Sequence, residues 1–323
     1  MTALFSDKLI TVIGGSGFIG RHLVRALTRM GYRVRVAVRR PELAVHIKPL
    51  GRPGQISLAR ANVRYPATLV PVCEGAEAVI NLVGVLYSAG AQTFDAIHVF
   101  GAEASAKAAR TAKARVFIQM SALGADPHSA SQYARSKALG EARARAAFPS
   151  AIMVRPSIVF GPEDDFFNRF AAMARFSPVI PLVGGRTNFQ PVYVGDVAKA
   201  LARMIEMTDP GNGPYELGGP EVFSLRQLVE YTLATTERRR VLLPIPWWAA
   251  RTLGTVLGML PKPMLTADQV ELLKSDNVVS AEAEAAGRTL RGLGITPEGI
   301  EAIVPAYLYR YRKAGQFTQP SGV

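Results

Sequence analysis

Leu9-Ile-Thr-Val-Ile13 runs without a break into Gly14-Gly-Ser-Gly-Phe-Ile-Gly20, and beyond it Leu23 and Leu27 recur at helical spacing. The short, β-branched apolar run reads as a buried parallel strand. The leucines lie on one face of the next segment and Arg21, Arg25 and Arg29 on another, as in an amphipathic helix. Gly31 falls where a helix C-cap takes glycine, and Arg33-Val-Arg-Val-Ala-Val38 reads as a second strand. A glycine-rich turn opening a βαβ unit is an arrangement that cradles a pyrophosphate. In it Gly14 allows the tight turn, Gly17 lets backbone approach phosphate, and Gly20 lets the helix pack against the strand. The helix N-terminus adds unpaired N–H groups and the positive dipole end. Gly14, Ser16, Gly17, Phe18, Ile19, Gly20 and Arg21 are therefore candidate cofactor contacts, against the alternative of a glycine turn with no ligand.

Around this unit the chain has an ordinary globular composition: 323 residues, 49% hydrophobic, with no repeat or low-complexity stretch. The formal charge of +13 suits a phosphorylated cofactor, an anionic membrane surface or an acidic protein equally well. The basic residues are scattered, mostly arginine, with Arg238–Arg240 the densest run, so no nucleic-acid partner is expected. Cys73 is the one cysteine, and His22, His46, His98 and His128 lack ligand spacing, so no metal is expected. The first strand starts too near residue 1 for a signal or transit peptide, and no stretch has the roughly 20 apolar residues that span a bilayer. The expectation is a soluble or peripheral chain that works on the side where it is made.

Later segments continue the α/β order. Where an NAD site would place an acid after the second strand stand Arg39 and Arg40. These would attract a 2′-phosphate, and Arg21 can approach the same group. NADPH is thus expected over NAD; the alternative is a pair of solvated loop charges. Asn62 and Val63 follow the apparent third strand. Ala78-Val-Ile-Asn-Leu-Val-Gly84 reads as the fourth and puts Leu82, Val83 and Gly84 beside the cofactor. An alanine-rich helix is expected from about Thr93 to Ala112, then a fifth strand, Val116–Ser121. Tyr133-Ala-Arg-Ser-Lys137 places a phenol and an amine one turn apart on a helix. The lysine can hold a ribose and lower the phenol's pKa, the phenol can exchange a proton with an alcohol or carbonyl, and Ser121 can bond the same oxygen. The bland alternative is a surface tyrosine and lysine, and a second is that all three are retained only as cofactor contacts.

The G-x-x-G-x-x-G spacing with Tyr-x-x-x-Lys resembles the extended and atypical short-chain dehydrogenases. Arg155-Pro-Ser-Ile-Val-Phe-Gly-Pro162, after the sixth strand, resembles their Arg-Pro-x-x-Val-Tyr-Gly-Pro turn, which implies that Pro156, Ser157 and Ile158 lie near the nicotinamide. Gln190-Pro-Val-Tyr-Val-Gly-Asp-Val-Ala198 resembles a later segment of theirs. Only eleven residues separate Ser121 from Tyr133, fewer than in relatives that act on nucleotide sugars.

Other strings resemble one branch: Ser131–Glu141, Ile158–Phe170, Leu272-Leu-Lys-Ser-Asp-Asn-Val-Val279 and Ile300–Arg312. They are similar to the dehydrogenase-like accessory subunit of respiratory complex I, the NADH:ubiquinone oxidoreductase. The resemblance implies a structurally held NADPH without turnover, complex I peripheral-arm subunits as partners, and a peripheral place on the cytoplasmic face of a bacterial inner membrane. The alternative is an active NADP-dependent oxidoreductase or epimerase on a small lipid- or quinone-like substrate, and a third reading is a free redox sensor.

The expected architecture is α/β: a doubly wound parallel Rossmann sheet (1–165 and 188–211) with a smaller, discontinuous domain (166–187 and 212–323). In the latter, a helix at 245–260 carries Trp247 and Trp248 after three arginines. It belongs either at a membrane interface or in the small domain's core.

Overall fold

The computed structural model describes residues 6–209, 211, 213–258, 260, 263 and 265–312. Leu9–Ile13 (β1) is followed by a helix at Phe18–Arg29 (α1) and a strand at Arg33–Val38 (β2). Further strands are Ile56–Arg60 (β3), Ala76–Asn81 (β4), Val116–Met120 (β5) and Ile152–Pro156 (β6). With Tyr215–Leu217 they make a seven-stranded sheet in the order Tyr215–Leu217, β6, β5, β4, β1, β2, β3, every pairing parallel. The order reverses at β1, between β2 and β4. In doubly wound sheets that reversal opens a crevice at the carboxyl ends of the strands.

Helices cover the sheet because parallel strands bury both faces. Leu23, Val24 and Leu27 of α1 are wholly buried, each contributing on the order of 1.5–3 kcal/mol. Gly31 closes α1 with φ +86°, its N–H bonded to Thr28 O and that of Tyr32 to Leu27 O, a pairing that satisfies the last carbonyls. Helices Phe100–Thr111 (α2) and Gln132–Ala147 (α3) approach closely because small residues face each other: Ala102, Ala106 and Ala109 are fully buried. A Cβ on Gly140 of α3 would stand 2.1 Å from His98 O.

Four element ends differ from the sequence reading. β4 stops at Asn81, because Asn81 Oδ1 accepts from Val83 N (3.1 Å) and turns the chain out of the sheet. The helix expected at 93–112 begins instead as one π-helical stretch, Asp95–Val99, and becomes α-helical at Phe100. Ser121 lies just past β5, and β6 takes in Arg155 and Pro156.

Two compact units divide the chain: Met1–Pro156, Val194–Leu217 and Ser280–Ile295 in one, Ser157–Tyr193, Gly218–Val279 and Thr296–Val323 in the other. Compared with the expected division, residues 157–165 and 188–193 belong to the second unit, while Tyr215–Leu217 and 280–295 stand with the sheet: Ser280 N donates to Glu216 Oε2 and Arg288 Nε to Pro214 O. The second unit has its own core, with Phe160, Phe167, Leu228, Val304 and Leu308 wholly buried. Asp164 lies within it, accepting from Gly161 N, Asn168 N and the Tyr307 hydroxyl.

The expected helix at 245–260 starts two residues later, and a strand precedes it. Val241–Ile245 pairs in parallel with Val179–Val183, and the helix runs from Trp247 to Leu257. Pro244 and Pro246 explain the late start, since proline lacks the N–H a helix interior needs. Met259 lies outside the described residues, as do the ends of the expected domains at 1–5, 212 and 313–323. One face of this helix is buried at Ala250 and Gly254, while Trp248 is 77% and Val256 60% exposed. The buried face packs as the core alternative expects, and the other face is open to solvent. No helix among the described residues is long and apolar enough to cross a membrane.

Candidate dinucleotide site

The glycines of the first turn do different work from one another. Gly14 has φ +82°, a left-handed conformation that only glycine adopts freely. Its N–H reaches Ala37 O at 2.9 Å, and the position a Cβ would take lies 3.1 Å from Val83 Cγ2. The exits of β1 and β4 therefore touch at the point where the strand order reverses. Gly20 carries the tightest contact: a Cβ there would lie 2.6 Å from Gly15 C and Cα. It packs α1 against the turn, not against the strand as the sequence suggested. Gly15, which sequence reasoning did not single out, is the glycine that meets the strands: a Cβ on it would stand 3.0 Å from Val36 Cγ1 and 3.2 Å from Val12 Cγ1. Gly17 needs no special backbone (φ −73°) and is exposed; a Cβ there would meet only Gly14 O, at 3.3 Å. It caps α1 with no side-chain hydrogen bond and no acid in the first turn. The first N–H groups of α1, beside Ser16, Phe18 and Ile19, are left for an anion.

Arg39 and Arg40 are exposed just after β2, and Arg39 Nη1 donates to Gln92 Oε1 at 2.5 Å. Arg21 is half-buried in the first turn of α1. Asn62 accepts from Arg64 N through Oδ1 (3.1 Å). Val63 is buried, its Cγ2 2.9 Å from the Cβ position of Gly101. Leu82 N still bonds Ile13 O.

At the exit of β4 the residues draw together. A Cβ on Gly84 would lie 3.3 Å from Lys137 Nζ and 3.6 Å from His98 Nε2. Lys137 Nζ is 5.7 Å from the centre of the Tyr133 ring. Ser131 fixes this pair by capping α3, its Oγ accepting from Ala134 N at 3.3 Å. Glu141 and Arg155 tie the same helix to β6 through two hydrogen bonds of 2.8 and 2.7 Å. The short loop before α3 is held by Arg135, which donates to the carbonyls of Ser129 and Ala130.

Two polar features were not legible from sequence. His98 is 3% exposed and bridges the β4 exit to α3: Nε2 accepts from Val85 N (3.0 Å), and Nδ1 meets Ser136 Oγ (2.9 Å). Ser136 in turn donates to Tyr133 O. The Val85 bond puts the imidazole proton on Nδ1. Burial, with Lys137 nearby, drives the imidazole pKa down to about 2, so the ring stays neutral. It also stacks on Phe94 and meets Tyr133 edge-on. The second feature is a buried amide pair, Asn81 Nδ2 to Gln119 Oε1 at 2.9 Å, which joins β4 to β5 at their carboxyl ends. A histidine at the start of an alanine-rich helix was the only available signal for the first, and the π-helical stretch that aims it cannot be read from spacing.

The proton chemistry differs from expectation in one respect. Lys137 was expected to lower the Tyr133 pKa; burial instead pushes the phenol up to about 12. Burial also pulls the Lys137 ammonium down to about 8, against the opposing attraction of Glu141. Near neutral pH the site therefore presents a neutral phenol, a cationic lysine and a neutral imidazole. Ser121 Oγ is buried with no hydrogen-bond partner, a cost that a polar ligand group or a water would relieve. Pro156 O accepts from Leu123 N, two residues beyond Ser121. Ser157 and Ile158 belong to the second unit, where Ser157 Oγ donates to Asn277 Oδ1 (2.7 Å) and Ile158 O accepts from Val192 N. Among the described residues no group of three His, Cys, Asp or Glu side chains is placed to hold a metal.

An open helix N-terminus, an exposed Gly17 at its cap, the orphaned Ser121 hydroxyl and Lys137 at Gly84 together fit a dinucleotide. The chain belongs to the NAD dependent epimerase/dehydratase family, whose model matches residues 10–218. Within that class it is 33% identical over 311 residues to the mitochondrial NADH dehydrogenase (ubiquinone) 1 alpha subcomplex subunit 9 of Mus musculus, spanning 95% of this chain and 81% of that one. It is also 37% identical over 193 residues to the ceramide reductase of Caulobacter vibrioides, 60% of this chain and 59% of that one. The fold is shared with the triphenylmethane reductase of Citrobacter sp. (TM-score 0.73, 16% identity, covering 93% of this chain and 99% of that one).

Proposed function

We propose that this chain is an accessory subunit of a respiratory NADH:ubiquinone oxidoreductase that holds NADP(H) as a structural group and does not turn it over. The observation that carries this reading is the relationship to a complex I subunit along 95% of the chain. A phenol pushed up to about 12 is a poor proton shuttle near neutral pH, since a catalytic group works best with a pKa near the operating pH. Arg39 and Arg40 after β2, with no acid there, favour NADPH over NAD. Gly14, Gly17 and Gly20 with the α1 N-terminus would hold the pyrophosphate, Asn62 and Val63 the adenine, and Leu82–Gly84, Tyr133 and Lys137 the nicotinamide ribose. When bound, the dinucleotide supplies a hydride-carrying ring. The place of work is the cytoplasmic face of a bacterial inner membrane, against complex I peripheral-arm subunits.

Gentle purification from native membranes tests the reading. The chain is expected to co-purify with complex I subunits and to release NADPH on denaturation. A free protein that exchanges NADPH within seconds would overturn it.

The second reading, an NADP-dependent reductase of a lipid- or quinone-like carbonyl, is favoured by the retained Ser121, Tyr133 and Lys137 and by the ceramide reductase relative. Tyr133→Phe separates the two. The accessory-subunit reading expects cofactor affinity within about threefold of wild type, under ~1 kcal/mol, and unchanged co-purification. A reductase would lose its activity instead.

The exposed face of the helix Trp247–Leu257 is assigned to an anionic lipid surface, with Trp248 at headgroup depth and Arg239, Arg240 and Arg251 near the phosphates. The protein is expected to float with anionic vesicles and not with zwitterionic ones, and Trp248→Ala to weaken flotation severalfold. Equal recovery with both vesicle types would remove the lipid assignment.

A further inference from the structure

We infer that Gln92 is a positioning residue for dinucleotide specificity: it holds the Arg39 guanidinium with one edge turned free to take a 2′-phosphate. This rests on the NADP(H) reading above. The observation is a polar brace between the exits of β2, β3 and β4. Gln92 Oε1 accepts from Arg39 Nη1 at 2.5 Å, and Ala91 O accepts from Arg64 Nη1 at 3.1 Å. The stretch carrying both acceptors is itself closed, since Ala89 and Gln92 exchange N–H···O bonds of 3.1 and 3.0 Å. Arg64 is backed at the other end of its residue by Asn62, whose Oδ1 takes the Arg64 N–H.

A guanidinium has five donors in a fixed fork. The bond to Gln92 uses Nη1 alone, so the Nε–Nη2 edge keeps the geometry that pairs with two oxygens of one phosphate. An exposed arginine on its own must give up rotamer freedom when it binds an anion. One that is already oriented gives up less, and the saving appears as affinity. Gln92 is neutral, so it orients Arg39 without competing for its charge. A carboxylate at the same place would orient it equally well but repel the phosphate. The effect is confined to dinucleotides that carry a 2′-phosphate, because nothing in NAD(H) meets the Arg39 fork with two anionic oxygens.

The test is the ratio of NADPH to NADH affinity, measured by fluorescence titration of the full-length protein stripped of cofactor. Competition between 2′,5′-ADP and 5′-AMP repeats it without the nicotinamide. Wild type is expected to prefer the phosphorylated member of each pair, and Arg39→Ala to lose that preference. Gln92→Ala is expected to weaken NADPH three- to tenfold with NADH unchanged, and Gln92→Glu to weaken NADPH more than tenfold with NADH again unchanged. Arg39 is exposed and Gln92 half-buried, both outside the hydrophobic cores, so the melting temperature should hold. An unchanged ratio in Gln92→Ala, or a shift toward NADPH, overturns the inference while leaving the NADP(H) reading intact if Arg39→Ala still loses preference. A wild type with no preference overturns both.

Discussion

Lys137→Met is expected to make the cofactor-free protein more stable while abolishing tight dinucleotide binding. The two effects have one origin. Lys137 is 7% exposed, and burial holds its ammonium at about 8 against an ordinary 10.5. Below pH 8 the lysine is protonated in both the folded and the unfolded chain, and the folded chain bears the full cost of a buried charge. Between about 8 and 10.5 the unfolded chain binds more protons than the folded one, so stability rises with pH through that window. The shift corresponds to about 3 kcal/mol at most. Methionine fills a similar volume without the charge. Denaturant titrations should therefore show the variant more stable than wild type at pH 7, and the gap closing as pH rises to 10.5. Dinucleotide affinity runs the other way. On the proposed reading, a ribose held by the ammonium at Gly84 keeps only a weaker, uncharged donor as Lys137 deprotonates, so wild-type affinity should fall above pH 8 and the variant should bind weakly, by tenfold or more, at every pH. A variant no more stable than wild type at pH 7 would mean that Lys137 does not carry a buried charge.

How much of this was legible in sequence follows from how local each determinant is. β1, β2, the place of the glycine turn between β1 and α1, and the close of α1 at Gly31 were read correctly because their signals sit within a few residues of one another. The parallel sheet and the family likewise followed from strings that stand together. The end of β6 was misplaced because it depends on a partner far along the chain, Arg155 staying in the sheet beside Glu216; β4 ends early because the Asn81 side chain, itself bonded to Gln119 on β5, takes the N–H of Val83. The site shows the same divide. Tyr133 and Lys137 could be paired from their spacing, whereas His98 reaches Ser136 across 38 residues and depends on a π-helical stretch one residue out of α-helical register. The Tyr133 pKa was read with the wrong sign because spacing reports a neighbouring charge but not desolvation, and here desolvation is the larger. The segment 242–260 reads as one apolar run; only two prolines betray that it is a strand and then a helix.

The proposed cofactor cradle of this chain can be probed apart from either role. Gly17→Ala is expected to leave the fold nearly unchanged and to cost dinucleotide affinity at least tenfold, whereas Gly20→Ala should lose both. At Gly17 the backbone is one that alanine adopts, and the new methyl would touch only Gly14 O at 3.3 Å. The loss of a glycine N-cap to alanine costs on the order of 1 kcal/mol or less. That methyl would stand, however, on the exposed surface where a pyrophosphate must come within hydrogen-bond reach of the α1 N–H groups. At Gly20 the methyl would lie 2.6 Å from Gly15 Cα and 2.7 Å from Gly14 O. Both are backbone atoms of a turn already fixed by Gly14 at φ +82°, so α1 must lift away from it. Overpacking of this kind costs about 1–3 kcal/mol, and lifting α1 also withdraws the N–H groups that face the phosphates. Thermal melts and NADPH titrations on the two variants read the difference directly. If Gly17→Ala binds NADPH as wild type does, the turn is a packing device alone and the dinucleotide must be held elsewhere.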